Sequence, residues 1–316
     1  MNDVITIGEA MITFNPHSTG PLKFVNDFEK KVGGAELNVA IGCSRLGLQV
    51  GWISRLGKDE FGQSIRTFAR GEGIDVSEVA LVEGYPTSLN FKEIMEDGSG
   101  RTMYYRDHSP TSTMTPAELK PEYFREAKLL HITGIFPAVA PENMEVTMRA
   151  IALAKEYGLK IAFDPNIRLR LWNKEEAREA LFPLLAHVDI LLAGDEEMKV
   201  ILGESDPHAM IEKGKELGIS LIAIKRGEKG SVGYYNGEIV EAAPVKASKI
   251  ADTVGAGDGF DAGMIYGFLQ GWPLSRMLTF ANTIGSMVVS IVGDNEGLPY
   301  LEDVQAKTGE IERVER

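Results

Sequence analysis

Cysteine is almost absent from this chain. Its 316 residues include one, Cys43, so no disulfide can form within the chain. That suits a reducing compartment, and Cys43 reads most simply as a small buried apolar side chain. Positive charge is scarce as well. Lys and Arg total 33 against 46 Asp and Glu, a formal net charge of −13. Such a balance argues against a nucleic-acid or acidic-membrane partner, but not against a nucleotide, which needs only a local site. No apolar run approaches the length of a membrane span. No basic segment followed by an apolar run opens the chain as a signal peptide would. A cytoplasmic protein is the expectation. Internal repeats and low-complexity segments are missing. So are two nucleotide signatures. Gly57-Lys58 and Gly214-Lys215 are followed by Asp59 and Glu216, where a Walker-type loop needs Ser or Thr. A dinucleotide fingerprint on Gly255-x-Gly257 would need glycine at position 260, where Phe260 stands.

What is present centres on Asp252-Thr253-Val254-Gly255-Ala256-Gly257-Asp258. An apolar helical pattern follows at Phe260, Met264 and Phe268, and Gly271-Trp272-Pro273 stops it. Backbone N–H groups at such a turn, with the helix dipole behind them, bind an anion without a basic side chain. Glycine lets the anion approach the main chain. Asp258 then sets a carboxylate beside the anion, which makes sense as a general base taking a proton from an attacking hydroxyl. The plain alternative is a glycine-rich turn with Asp258 as a helix cap.

Hydrophobic residues make up 44% and charged residues 25%, the balance of a globular chain with a large core. A single α/β domain over residues 1–316 is expected. Val4 to Glu9 reads as a buried opening strand. Residues 11–28, broken by Pro16, Gly20 and Pro21, look too irregular for core and suggest a peripheral flap. Gly33-Gly34 opens a small-residue helix with Gly34 and Asn38 one turn apart, either a tightly packed helix start or a substrate floor. Val50 to Leu56 is strand-like, and a helix carrying Phe61, Ile65 and Phe68 follows. Thr87 to Met95 and Arg101 to Arg106 form a hairpin across Glu96 to Gly100. Segments 11–28 and 87–108 together suggest a small β lid. Alternation puts Tyr104 and Arg106 on one face of the second strand. That face is either an exposed edge or a lid surface offering a guanidinium to a carboxylate.

Beyond the hairpin, strands at Lys128–Thr133, Ile161–Asp164, Val188–Leu192 and Leu221–Lys225 alternate with helices. That argues a doubly wound, mainly parallel sheet flanked by helices. Ligands in such sheets bind at the carboxyl ends of strands. The rule singles out Asp164 to Arg168, Gly194 to Glu197 and Lys225 to Gly227. Acids opening a helix, as at Asp195 to Glu197, are equally well explained as partners of its dipole. Val292 to Gly297 is expected to end the last apolar helix, and the charged tail from Glu302 carries no signal.

These segments, in order, resemble the ribokinase-like (PfkB) carbohydrate kinases over nearly the whole chain. Asp252 to Asp258 is similar to that family's C-terminal signature. There the glycines, here Gly255 and Gly257 around Ala256, form an anion hole for the transferring phosphate, and the final aspartate is the base. Gly33-Gly34 is similar to its N-terminal signature. The variant Gly-Gly-Ala-Glu-x-Asn and the triplet Tyr104-Tyr105-Arg106 resemble the 2-keto-3-deoxygluconate kinases within the family.

The resemblance implies a ribokinase-like fold with a small β-sheet lid. It also implies a sugar-acid kinase using ATP and Mg2+, and it leaves a monovalent-cation requirement open. The implied reaction is phosphorylation of 2-keto-3-deoxygluconate to 2-keto-3-deoxy-6-phosphogluconate. Implied substrate contacts are Gly34, Asn38, Asn90, Tyr104, Arg106, Arg168, Asp258 and Asp294. Asn90 stands where a family tyrosine is expected. Asn166, Arg168, Lys225, Gly227, Gly230, Gly255, Ala256, Gly257 and Asn282 are the implied nucleotide contacts. Glu197 matches the acid of the family's Asn-x-x-Glu element, an indirect metal role, with Gly194 in place of its asparagine. Alternatives are a fructokinase-like sugar kinase or a non-catalytic sugar or nucleotide binder. Intact Gly255, Gly257 and Asp258 speak against the binder. Exposed hairpin edges suggest a homo-oligomer.

Overall fold

A computed structural model of the chain describes residues 2–97 and 99–312. Gly98, in the expected hairpin turn, and residues 313–316 of the charged tail lie outside the described residues. The chain runs β1 (Val4–Ile7), β2 (Met11–Pro16), β3 (Phe28–Gly33), α1 (Ala35–Arg45), β4 (Val50–Gly57), α2 (Glu60–Gly71) and β5 (Val79–Val82). It continues with β6 (Leu89–Ile94), β7 (Gly100–Tyr105), α3 (Pro121–Arg125), β8 (Leu129–Thr133), α4 (Ile135–Val139), α5 (Glu142–Tyr157) and β9 (Lys160–Asp164). Then come α6 (Lys174–Leu181), β10 (Ile190–Gly194), α7 (Asp195–Leu202), α8 (Pro207–Glu216), β11 (Leu221–Lys225), β12 (Ser231–Tyr235) and β13 (Glu238–Ala242). The last helices are α9 (Ala256–Leu269), α10 (Leu274–Val288) and α11 (Leu301–Thr308).

A nine-stranded sheet has the order β13-β12-β11-β10-β9-β8-β1-β4-β5. It is parallel from β11 to β5, with β12 and β13 antiparallel at one edge. This is the doubly wound, mainly parallel sheet that the strand–helix alternation predicts. Both faces are covered, so its strands read as near-continuous apolar runs. Period-two alternation sends Val4 and Ala162 to one core with α1, α9 and α10. It sends Ile5, Ile7, Ile161 and Phe163 to the other, with α5, α7 and α8. Among the described residues no helix is long and apolar enough to cross a membrane.

The second sheet has four strands, β3-β2-β6-β7, with β2 and β6 parallel and the outer pairs antiparallel. Several sequence expectations shift here. The flap read as residues 11–28 carries a strand, β3, that starts at Phe28 and runs to Gly33. Its first piece is not peripheral, since Ile12 is fully buried in the first core. Helix α9 begins at Ala256, not at Phe260, because Gly255 in a left-handed conformation starts it ahead of the apolar stripe. Strand β10 lies two residues later than expected, after a 3-10 turn at Phe182–His187. Helix α10 stops at Val288, so Val292 to Gly297 is loop rather than helix end. The charged tail contains α11, which buries Val304.

Candidate active site

The carboxyl ends of β1, β8, β9, β10 and β11 point to one side of the large sheet, where the small sheet overhangs them. A cavity of about 860 Å³ lies between. Gly34, Asn38, Asn90, Tyr104, Arg106 and Asp294 line it on the small-sheet side. Asn166, Arg168, Glu197, Lys225, Gly255, Gly257 and Asp258 line it on the strand-end side. A second cavity, about 670 Å³, takes in Gly227, Gly230, Ala256 and Asn282 with Phe260 and Val289. Lys225, Thr253 and Gly257 belong to both. Every candidate residue from the sequence therefore lies in one of two adjoining spaces, and the junction sits at the glycine-rich turn.

At that turn Gly255 has φ of 78° and caps α9. A Cβ there would collide with the Asp294 carbonyl, so only glycine fits. A Cβ on Gly257 would meet only the Lys225 ammonium, at 3.7 Å. Bare backbone thus faces open cavity at the start of a helix, where the first N–H groups have no intrahelical partner. The space a Gly257 side chain would fill is a cradle suited to a phosphate.

Asp258 lies in the first turn of α9 but does not cap it, because Gly255 holds that position without a side-chain bond. Its Oδ2 instead accepts a 2.7 Å hydrogen bond from Asn38 Nδ2 on α1. Burial pushes the Asp258 carboxyl up to about 6, with Asp164 adding to the rise and Asn38, Arg168 and Lys225 opposing it. A carboxylate so placed is still ionised at neutral pH and basic enough to take a proton.

Behind the turn, Lys225 Nζ lies 3.1 Å from Asp164 Oδ2 and 3.1 Å from both Asp261 oxygens. Burial works against the Lys225 charge, but Asp164, Asp261 and Glu197 outweigh it and hold the ammonium above its usual range. Burial pushes Asp261 well up, whereas Lys225 and an Asp261 hydrogen bond hold Asp164 low. Asn166 follows at φ of 39°, its N–H on Asp164 Oδ1 at 3.0 Å. A left-handed asparagine is strained, and such strain gathers at functional sites.

Glu197 accepts from the backbone N–H of Ile167 at 2.9 Å and of Gly194 at 2.7 Å. One oxygen thus ties α7 to the loop after β9, and the other closes the start of α7 itself, which is the capping reading of this acid. Among the described residues no group of three or more His, Cys, Asp or Glu is arranged around a metal. Asp164 and Glu197 nonetheless put carboxylates on the cavity wall beside Asn166. That donor set fits Mg2+, which keeps several waters and is held by one or two carboxylates plus phosphate oxygens. In the second cavity, Asn282 Nδ2 donates to the Ala243 carbonyl at 3.1 Å, so this side chain also holds the segment leaving β13.

On the small sheet, Asn90 donates to Thr13 Oγ1 at 3.0 Å, and its own Oδ1 is buried without a partner among the described residues. Arg106 lies just past β7 and packs against the Tyr104 ring, 5.6 Å from its centroid. Its Nη2 is hydrogen-bonded to Glu9 Oε2, and its Nε is buried without a partner among the described residues. Lys92, two residues beyond Asn90 on the same face of β6, donates to Asp294 Oδ1 at 2.9 Å. Arg170 donates to the Thr102 carbonyl on β7 and lies 5.9 Å from the Tyr104 ring.

Sequence reasoning missed Glu9, Lys92, Glu36 and Asp261. Glu9 lies two residues past the end of β1, so the strand-end rule that picked Asp164 could have found it. Alternation from Asn90 points at Lys92. Glu36 lies inside the Gly33 to Asn38 motif itself. No sequence signal marks Asp261, one of many residues on a buried helix.

Glu36 is fully buried, accepts from Thr133 Oγ1, and leaves Oε2 without a partner among the described residues. A Cβ on Gly8 would collide with the Glu36 side chain, so glycine there leaves that side chain its place. Burial pushes the Glu36 carboxyl from an ordinary 4.5 up to about 7, with Glu9 and Asp258 adding to it and Thr133 opposing. The folded chain therefore holds an extra proton across that window. The resulting stability is complete below 4.5 and is lost as pH rises through about 7. The shift corresponds to about 3 kcal/mol. Glu36→Gln, neutral at every pH, is expected to gain stability relative to the parent between about pH 5 and about pH 8, read by thermal melts. A difference that does not change with pH would show that Glu36 is ionised throughout.

A model described as "pfkB family carbohydrate kinase" matches residues 1–301. The chain is 36% identical over 309 residues to the 2-dehydro-3-deoxygluconokinase of Bacillus subtilis (strain 168), covering 95% of this chain and 93% of that protein. It is 31% identical over 310 residues to the 5-dehydro-2-deoxygluconokinase of Shouchella clausii (strain KSM-K16), covering 96% and 94%. A crystal structure of the 2-dehydro-3-deoxygluconokinase of Thermotoga maritima superposes with a TM-score of 0.89 at 26% identity, covering 96% of each chain.

Proposed function

The chain belongs to the pfkB family of carbohydrate kinases, and from that premise we propose that it transfers the γ-phosphate of ATP to the terminal hydroxyl of 2-keto-3-deoxygluconate. The product is 2-keto-3-deoxy-6-phosphogluconate. The observation that carries the reading is the pairing of two features in one cavity. Asp258 stands beside bare helix-start amides at one end, and Arg106 presents an unpartnered Nε at the other. A kinase needs the first feature, and an acidic acceptor explains the second.

In this reading Asp258 takes the proton of the attacking hydroxyl. The amides of Gly255, Ala256, Gly257 and Asp258 face the charge that develops on the transferring group. Asn166, Arg168 and Lys225 flank the phosphates, and Gly227, Gly230 and Asn282 border the rest of the nucleotide. Magnesium, when bound, neutralises phosphate charge, and Asp164 and Glu197 would hold it through water. Arg106 and Arg168 meet the sugar carboxylate. Gly34, Asn90, Tyr104 and Asp294 border the sugar chain, with the small sheet as a lid that excludes water. Catalysis is then mostly positioning and electrostatics. The edge strands β3 and β7 of that sheet are where copies of the chain would pair into a homo-oligomer.

A second reading keeps the chemistry and changes the acid. Relatives named 5-dehydro-2-deoxygluconokinase span as much of the chain, and Asn90 stands where the resemblance to 2-keto-3-deoxygluconate kinases leads one to expect tyrosine. Arginine reads a carboxylate in either isomer. The test is ADP release from ATP and magnesium with 2-keto-3-deoxygluconate, 5-keto-2-deoxygluconate, gluconate, fructose, ribose or no sugar. Turnover confined to the first supports the proposal, and turnover confined to the second replaces the substrate. Turnover on fructose or ribose keeps a sugar kinase and removes the role given to Arg106. No turnover on any would defeat the proposal in favour of a binding protein.

A further inference from the structure

We propose that Asn38 and Asn295 form an amide relay that fixes one oxygen of Asp258 and turns the other toward the acceptor hydroxyl. Both are then positioning residues for the base. The inference rests on the reading of Asp258 given above and deepens it.

The direction of the relay follows from its far end. Asn295, in the loop after α10, is 2% exposed and donates from Nδ2 to the Val32 main-chain carbonyl at 2.6 Å. A carbonyl can only accept, so Asn295 must present its amide nitrogen there. The same nitrogen has a second hydrogen, and 3.4 Å away lies Asn38 Oδ1. Asn38 therefore shows its oxygen to Asn295 and its nitrogen to Asp258, where the 2.7 Å bond is made. Swapping either amide would set donor against donor or acceptor against acceptor. A donor aimed at Asp258 Oδ2 favours the carboxylate over the acid. It also leaves Oδ1 as the proton acceptor.

Two features separate this from simple stitching of α1 to α9. The relay ends on a charged group inside the cavity, and Asn295 itself does not line that cavity. The groups facing Asp258 are Glu36 from α1, Arg168 from the loop after β9, Asp164 at the end of β9 and Lys225 at the end of β11. Loss of the relay removes one influence favouring the charged form. Burial, Glu36 and Asp164 then press the other way.

The test uses the full chain labelled with 13C at aspartate carboxyls, with the Asp258 signal assigned by its loss in Asp258→Asn. The Asp258 titration midpoint is expected to rise by about one unit in Asn295→Ala. It rises further in Asn38→Asp, which sets a second carboxyl against Asp258. With the sugar found active in the panel, the acidic limb of kcat should move up equally. KM for that sugar should change less than about three-fold in Asn295→Ala. An unmoved midpoint and unmoved limb in the folded variants would overturn the relay, as would a raised KM with kcat intact. If Asn295→Ala does not fold, the nearly isosteric Asn38→Asp decides alone. An enzyme that phosphorylates no sugar sinks the kinase proposal, yet the carboxyl titration still decides the relay.

Discussion

Asp258→Asn is expected to lower kcat by about three orders of magnitude while leaving nucleotide affinity within about two-fold. The substitution keeps the shape of the side chain and removes its capacity to take a proton. Asn38 Nδ2 can still donate to the new amide oxygen, so the contact between α1 and α9 survives. The helix-start amides of α9 and the second cavity, which Asp258 does not line, are untouched. Nucleotide titration by calorimetry and ADP release under saturating sugar are the two measurements. The pH dependence adds an independent check. The parent rate should fall as pH drops through about 6, where Asp258 takes up its proton, and the variant's residual rate should lack that limb. Turnover within ten-fold of the parent (~1.4 kcal/mol in barrier) would remove Asp258 from the chemistry.

Asp258 and its turn were legible in the sequence because their requirements are local. A positive φ at Gly255, an uncluttered backbone at Gly257 and an acid in the first helical turn all follow from consecutive residues. The large sheet was legible for a similar reason, since a strand buried on both faces must be apolar throughout. Electrostatic partnerships were hidden. Glu9 and Arg106 are far apart in sequence, and only the folding of the β1–β2 connection against the end of β7 brings them together. Lys225 was visible as a strand end, but its clamp between Asp164 and Asp261 depends on β9 and α9 lying on either side. The sequence offers Asn38 as a substrate contact, and only the packing of α1 on α9 reveals that it also donates to Asp258. The small sheet was blurred for another reason. Three of its four strands are only partly buried, so the apolar alternation that marks a strand is weak.

Arg106→Met is expected to cut kcat/KM for the keto-deoxy acid at least about a hundred-fold, the loss of a charge-assisted pair with a carboxylate. The neutral methyl ester of the same acid isolates that charge. Its kcat/KM should change far less, so the acid-to-ester ratio collapses. Glu9 complicates the single variant in a useful way. In the folded chain Arg106 is paired with this buried carboxylate, which also accepts from Ser88 Oγ at 2.6 Å. Removing the guanidinium leaves Glu9 facing the cavity without its counter-charge. An anionic substrate then meets repulsion as well as a missing partner. Glu9→Gln in the Arg106→Met background separates the two effects. Partial recovery of acid turnover there, with the ratio still low, assigns the carboxylate to Arg106 and the repulsion to Glu9. A ratio unchanged in Arg106→Met would place the carboxylate elsewhere. Lys92 is already engaged by Asp294, so Arg168, whose charge already acts on Asp258, is the cation that would then have to read it.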